Sequence, residues 1–280
     1  MRDSRARTAL ALICVVLAAL RFEALSWVIP LFGLILTVVG AWELTHLARA
    51  KEVALFEPMA YVGAVALYLA GLVPTDVFPW LVVPLLAALV VGAFVAHMAC
   101  HSYEGSVTGV SVALLPAVYL AFALACGLQV LCVDKMYFLF VLVCVWAMDS
   151  AAYYFGCAWG RHKMAPRLSP KKSWEGAAAA VVGALITAAI ARPIFCLDLS
   201  WPAVLELGLI FGVVGQFGDL AESALKRDAG VKDSGGAFGG HGGVLDRIDS
   251  LLFCFMAFYV WLLVSGQLDQ TDCTALMIHR

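Results

Sequence analysis

Residues 77–100 read VFPWLVVPLLAALVVGAFVAHMAC, twenty-four residues without a single Asp, Glu, Lys or Arg. A water-soluble fold exposes one face of almost every helix, so it cannot keep so long a run free of charge. A lipid-facing helix can, and about 20 apolar residues suffice to cross a bilayer. The rest of the chain repeats the pattern. Of 280 residues, 63% are hydrophobic and only 14% charged, against roughly 25% charged in soluble domains. Mean hydropathy is +0.93. Disorder is excluded, since it requires low hydrophobicity. An outer-membrane barrel is excluded for want of short alternating strands. A net charge of −2 argues against general nucleic-acid binding.

Nine apolar stretches follow from this reading, at 8–22, 24–42, 59–73, 77–100, 107–132, 136–155, 176–192, 201–218 and 249–266. Backbone groups in lipid must be satisfied within the segment, so each is expected to be a helix. The expected fold is therefore an all-α polytopic membrane protein of about nine transmembrane helices. The first stretch is short and follows Arg2, Arg5 and Arg7, as a signal peptide would, but it lacks a clean cleavage site and is expected to be retained. Nine crossings put fourteen Lys/Arg on the side of the N-terminus and four on the other. Positive charge marks the cytoplasmic side, so the N-terminus is expected there. The nine cysteines form no C-x-x-C pair and read as small apolar filler.

Two loops on that side hold most of the useful polarity. Residues 156–176 read GCAWGRHKMAPRLSPKKSWEG, and residues 219–250 read DLAESALKRDAGVKDSGGAFGGHGGVLDRIDS. Asp246 and Asp249 are spaced i, i+3 and fall on one helical face. With Asp219 at the end of the preceding span they make three hard oxygen ligands of the kind that hold Mg²⁺. A bare D-x-x-D is more often a solvated helix start, yet here it opens directly into a span, where unpartnered acids are costly. If the helix continues past 218, Ser223, Lys226 and Arg227 share a face with Asp219. Lys232 and Asp233 lead into Gly235–Gly243, six glycines in nine residues. Such a run lets backbone N–H groups close on an anion, or is simply a linker. His241 sits inside it. Lys171, Lys172, Trp174 and Glu175 precede a span, where basic residues anchor the chain or attract an anionic headgroup. Asp149 lies within a span and is a functional candidate on that ground. These residues together suit phosphoryl or nucleotidyl transfer to a lipid.

The stretch Ser223–Asp249 resembles the signature of the CDP-diacylglycerol synthases, or phosphatidate cytidylyltransferases: S-x-x-K-R, four residues, K-D, then H-G-G-x-x-D-R-x-D. The chain supplies Ser223, Lys226–Arg227, Lys232–Asp233, Gly235, Phe238, His241–Gly242–Gly243, Asp246–Arg247 and Asp249. It has Gly239–Gly240–His241 where many members have Pro-Gly-His. Asp149–Gly156 and Ser169–Gly176 are also similar to that family, while the other spans match only in being apolar.

The resemblance implies transfer of cytidylate from CTP to phosphatidate with release of diphosphate. It implies a divalent metal, Mg²⁺ or a two-metal site, the bacterial inner membrane and a homodimer. The N-terminal helices, 1–135, would carry the catalytic region, 136–280. Asp219 and Asp246 would ligate metal, with Asp249 beside them. Lys226 and Arg227 would hold phosphates, with Ser223 placing one. Lys232, His241 and Arg247 would contact the triphosphate. Lys172 and Glu175 would complete the headgroup pocket, and Asp149 would orient it. A CTP-dependent lipid kinase would share part of this pattern but leave no cytidine on the lipid. The D-G-x-x-A-R pattern of CDP-alcohol phosphatidyltransferases is absent, and the nearly charge-free spans weigh against a transporter.

Overall fold

The computed structural model describes residues 16–53, 56–101, 103, 105–235 and 243–268. Its helices are α1 (Val28–Arg49), α2 (Glu57–Ala70), α3 (Phe78–Cys100), α4 (Ser106–Val133), α5 (Lys135–Trp159), α6 (Trp174–Ile194), α7 (Trp201–Asp228) and α8 (Leu245–Ser265). Among the described residues seven helices are long and apolar enough to cross a membrane, and α2 is a shorter apolar helix of 14 residues. These eight coincide with the last eight of the nine expected stretches. The first, 8–22, lies largely outside the described residues, of which 16–21 are helical. The protein is thus an all-α polytopic membrane protein, with one addition. Between α5 and α6 the chain forms an antiparallel hairpin of β1 (Lys163–Ala165) and β2 (Ser169–Ser173). Strands this short leave no hydrophobic run to read.

The described residues fall into two compact units. One holds those up to Cys132 together with Gly235, Gly243 and Val244. On its α3, Trp80, Val83, Val91 and Met98 turn outward, a surface that suits lipid and would drive aggregation in water. Inside the unit polar groups satisfy one another. Tyr68 donates from its hydroxyl to Pro30 O at 2.6 Å. Gln129, fully buried in α4, donates from Nε2 to Gly71 O and Val73 O, both at 2.9 Å. These bonds tie the turn after α2 to α4. Glu43, buried on α1, accepts the Val244 N–H at 2.8 Å.

The second unit comprises Val133–Ser234 and Leu245–Leu268. Three of its helices begin on a side-chain cap, an acceptor that satisfies an otherwise orphaned N–H. Asp134 caps α5, Ser173 caps α6 and Ser200 caps α7. Lipid offers no hydrophobic drive between helices, so close backbone approach at small residues does that work. On α7, Gly208 and Gly212 lie against Leu185 and Val181 of α6, and Gly215 and Gly218 against α5 and α8. A Cβ on Gly212 would stand 2.6 Å from Val181 Cα. Farther along, Phe140, Phe211 and Phe258 form an edge-to-face cluster with centroids 5.7–6.2 Å apart. The glycines set α6, α7 and α8 close together at the end where the polar residues gather.

Candidate active site

A cavity of about 420 Å³ opens at that end of the second unit. Five carboxylates line it, Asp149, Asp219, Glu222, Asp246 and Asp249, with three lysines, Lys171, Lys172 and Lys226. The formal charge of these groups is −2. Each wall follows from the local fold. Asp149 comes from the last turns of α5, and Lys171 and Lys172 from β2, whose end is fixed by the Ser173 cap of α6. Asp219, Glu222 and Lys226 lie at i, i+3 and i+7 on α7, one stripe of an α-helix. Asp246 and Asp249 occupy the first turn and a half of α8.

Two groupings share the cavity. In the first, Lys172 Nζ lies 2.8 Å from Asp219 Oδ2 and donates to Gln216 O at 3.3 Å. Gln216 Nε2 in turn donates to Ala177 O at 3.2 Å and Gly212 O at 2.6 Å, stitching α7 to α6. Asp149, Asp219 and Asp249 lie within electrostatic reach of one another. Ser250 Oγ donates to Asp149 Oδ1 at 3.4 Å, and the Ser250 N–H to Asp249 Oδ1 at 2.7 Å. In the second grouping, Lys226 Nζ bridges Asp246 Oδ1 and Glu222 Oε2. Asp246 Oδ2 accepts from the Ser234 N–H at 3.2 Å and its hydroxyl at 3.0 Å.

The expected residues divide accordingly. Asp149, Lys172, Asp219, Lys226, Asp246 and Asp249 meet at the cavity. Ser223 is buried behind it and donates to Asp219 Oδ1 at 3.3 Å. Arg227 departs from the expected shared face. One residue beyond Lys226 is a further 100° around the helix, and the side chain is exposed. Its guanidinium donates to Leu168 O at 3.2 Å and Val231 O at 3.1 Å, tying the hairpin turn to the segment after α7. Glu175 also stands apart. It accepts the Arg161 and His162 N–H groups, each at 3.2 Å, and pairs with His162 Nδ1 at 2.6 Å, in a separate open depression beside Trp174. Lys232, Asp233 and Arg247 are exposed and do not line the cavity. Phe238 and His241 lie outside the described residues.

Glu222 was not among the expected site residues. Hydropathy ends the eighth stretch at 218, whereas α7 continues to Asp228, and only that continuation places Glu222 on the cavity wall. Its signal was the i, i+4 pairing with Lys226. For a hard divalent cation the donor set fits in kind: carboxylate oxygens from three helices in a wall of net negative charge suit Mg²⁺. They are not drawn into one cluster. Among the described residues no three His, Cys, Asp or Glu are grouped to hold a metal, and Lys172 and Lys226 pair with Asp219 and Asp246.

Comparison with known proteins adds the family. The profile described as "Cytidylyltransferase family" matches residues 3–265. The chain is 31% identical over 232 residues to the phosphatidate cytidylyltransferase of Staphylococcus aureus, covering 81% of this chain and 86% of that protein. It is 39% identical over 148 residues to the protein of that name from Bacillus subtilis, across 52% of this chain and 55% of the relative. With that of Haemophilus influenzae it shares 44% over 135 residues, across 44% and 46% of the two. The matches to the last two thus span about half of each relative. A profile match over nearly the whole length, together with relatives aligned along most of it, shows that this chain belongs to the cytidylyltransferase family.

Proposed function

We propose that the chain is a membrane-embedded phosphatidate cytidylyltransferase that makes CDP-diacylglycerol and diphosphate from CTP and phosphatidate. The observation that carries this reading is the cavity in which carboxylates and lysines converge at the ends of membrane-spanning helices. A lipid whose tails stay in the bilayer reaches such a site without leaving it. A phosphate oxygen of phosphatidate attacks the α-phosphorus of CTP, one O–P bond forms, and the bond to the bridging oxygen of the leaving diphosphate breaks. The attacking oxygen is already anionic, so no general base is required. Positioning and charge neutralisation dominate such transfers.

Of the three lysines at the cavity wall, Lys172 and Lys226 are assigned to phosphate oxygens, with Ser223 supporting Asp219. Arg227 holds the hairpin turn against the 231 segment and so shapes the mouth. A divalent cation, Mg²⁺ in this proposal, neutralises charge on the reacting phosphates when bound, and Asp219, Asp246 and Asp249 would hold it. Lys232, His241 and Arg247 belong to the segment proposed to meet the triphosphate.

The proposed setting is the bacterial inner membrane, crossed nine times if 8–22 also spans, with the site and N-terminus cytoplasmic. Residues 1–135 are proposed as the supporting helices and 136–280 as the catalytic region, in a homodimer. The test is incubation of purified protein with α-labelled CTP, phosphatidate and Mg²⁺. Label should enter the organic phase in step with diphosphate release, and Asp246→Asn should stop both without altering thermal unfolding. Label left in the aqueous phase while lipid is phosphorylated would assign a CTP-dependent lipid kinase instead.

A further inference from the structure

Two carboxylates and one ammonium make up the second grouping of the cavity. Glu222 is the more deeply buried partner, its side chain 2% exposed, with Lys226 at 12% and Asp246 at 15%. Glu222 Oε2 pairs with Lys226, while Oε1 is buried and has no hydrogen-bond partner. A buried carboxylate oxygen without a partner is expensive, and an uncompensated buried charge more so. Charge balance at Lys226 does not require Glu222, since Asp246 already pairs with the ammonium and is itself held by Ser234. The chain nevertheless places a second carboxylate against the same ammonium, one turn below it on α7.

We propose that Glu222 is a positioning residue that shares the Lys226 ammonium and thereby keeps Asp246 open to an incoming cation. This rests on the cation reading of the site. With two acceptors of like charge, Lys226 is not committed to Asp246. When a divalent cation takes an Asp246 oxygen, the ammonium shifts its weight to Glu222 and stays at the wall, ready for a phosphate. Without the Glu222 charge, Lys226 has one carboxylate left and pairs with it alone, so any cation must first break that pair. Glu222 thus acts through Lys226 and needs no contact with metal or substrate.

The test is binding of Mn²⁺ alone to the purified full-length chain in detergent, read from the loss of the free-ion paramagnetic resonance signal, with no CTP or lipid present. Glu222→Gln keeps the shape and can still accept from Lys226 but removes the charge. It should weaken Mn²⁺ binding about tenfold, the size expected for coupled neighbouring charges. Lys226→Gln should bind Mn²⁺ at least as tightly as the native chain. The double substitution should match Lys226→Gln within about threefold, because Glu222 has nothing left to share. Lys226→Gln also serves if Glu222→Gln fails to fold, as weaker binding by that variant overturns the proposal by itself. Native-like binding by Glu222→Gln overturns it, as does a double variant that stays tenfold weaker than Lys226→Gln. A native chain that incorporates cytidylate but binds no Mn²⁺ overturns the proposal and leaves the transferase reading standing.

Discussion

Gly212→Ala tests the link between helix packing and the cavity. The new Cβ would stand 2.6 Å from Val181 Cα and 3.2 Å from its Cγ2. Ordinary contact begins near 3.4 Å, so the backbones of α6 and α7 must part by most of an ångström. Val181 Cα cannot rotate away as a side-chain tip would. Overpacking of this kind costs about 1–3 kcal/mol, and replacing a helical glycine by alanine returns up to ~1 kcal/mol. The net loss is about 1–2 kcal/mol, which for a chain of this size is a fall of ~2–8 °C in Tm. Activity should fall further than stability. Gln216, one turn on from Gly212, bonds Ala177 O of α6 and holds Lys172 through its own carbonyl. Spreading the helices pulls that chain and displaces Lys172 from Asp219. Gly92→Ala is the control, since its Cβ meets only the flexible Met59 Cε at 3.0 Å, and it should leave Tm unchanged or slightly raised. Thermal unfolding in detergent and cytidylate incorporation read both effects. If Gly212→Ala melts and turns over like the native chain, or if Gly92→Ala falls equally, the close approach does not set the site.

Lys172→Met, which keeps the length and removes the charge, should lower kcat/KM about 10²-fold while Tm shifts only slightly, since its Asp219 partner is 38% exposed. Lys226→Ala should cost far more activity than Arg227→Ala, which loses only the ties to Leu168 and Val231; a steady-state comparison of the two variants decides it. Gln129→Leu strips one buried and one half-buried carbonyl of their donor and should destabilise by about 1–3 kcal/mol, seen as a lower Tm with an unaltered KM for CTP. Calorimetric titration of CTP should show tighter binding with Mg²⁺ than with chelator present, and equal affinity in both would count against the cation reading.

Most of the membrane fold could be read from hydropathy, because lipid forces long charge-free helices and leaves few alternatives. Eight of the expected stretches coincide with described helices, and Asp149, Asp219, Lys226, Asp246 and Asp249, which the sequence singles out, all line the cavity. What escaped lay where hydropathy stops being informative. The polar last turns of α7, past residue 218, carry Glu222, beyond the point where the apolar pattern ends. Arg227 followed Lys226 in the motif, yet adjacency in sequence is 100° of rotation on a helix. Glu175 read as a headgroup ligand beside Lys172, whereas the hairpin turns it toward the His162 backbone. No pattern in 163–173 announces that hairpin, whose second strand carries both Lys171 and Lys172 to the cavity.

The charge of the cavity orders what can enter it. Five carboxylates against three ammoniums leave a formal −2, at helix ends that border hydrocarbon, where uncompensated charge is costly. A nucleotide triphosphate meeting that wall unaided is repelled by more carboxylates than there are lysines to attract it. Each lysine next to Asp219 or Asp246 is also already engaged, Lys172 with the first and Lys226 with the second. A cation that binds the carboxylates therefore does two things at once. It would bring the wall toward neutrality, and by competing for Asp219 and Asp246 it would leave Lys172 and Lys226 available to phosphate. On the proposed function, the ion pairs of Lys172 with Asp219 and of Lys226 with Asp246 would be the resting form of a phosphate site. On that reading lysine suits both positions better than arginine. A compact ammonium on a flexible stem can change partners within one cavity, whereas a guanidinium fixed bidentately to a carboxylate gives up its geometry to move.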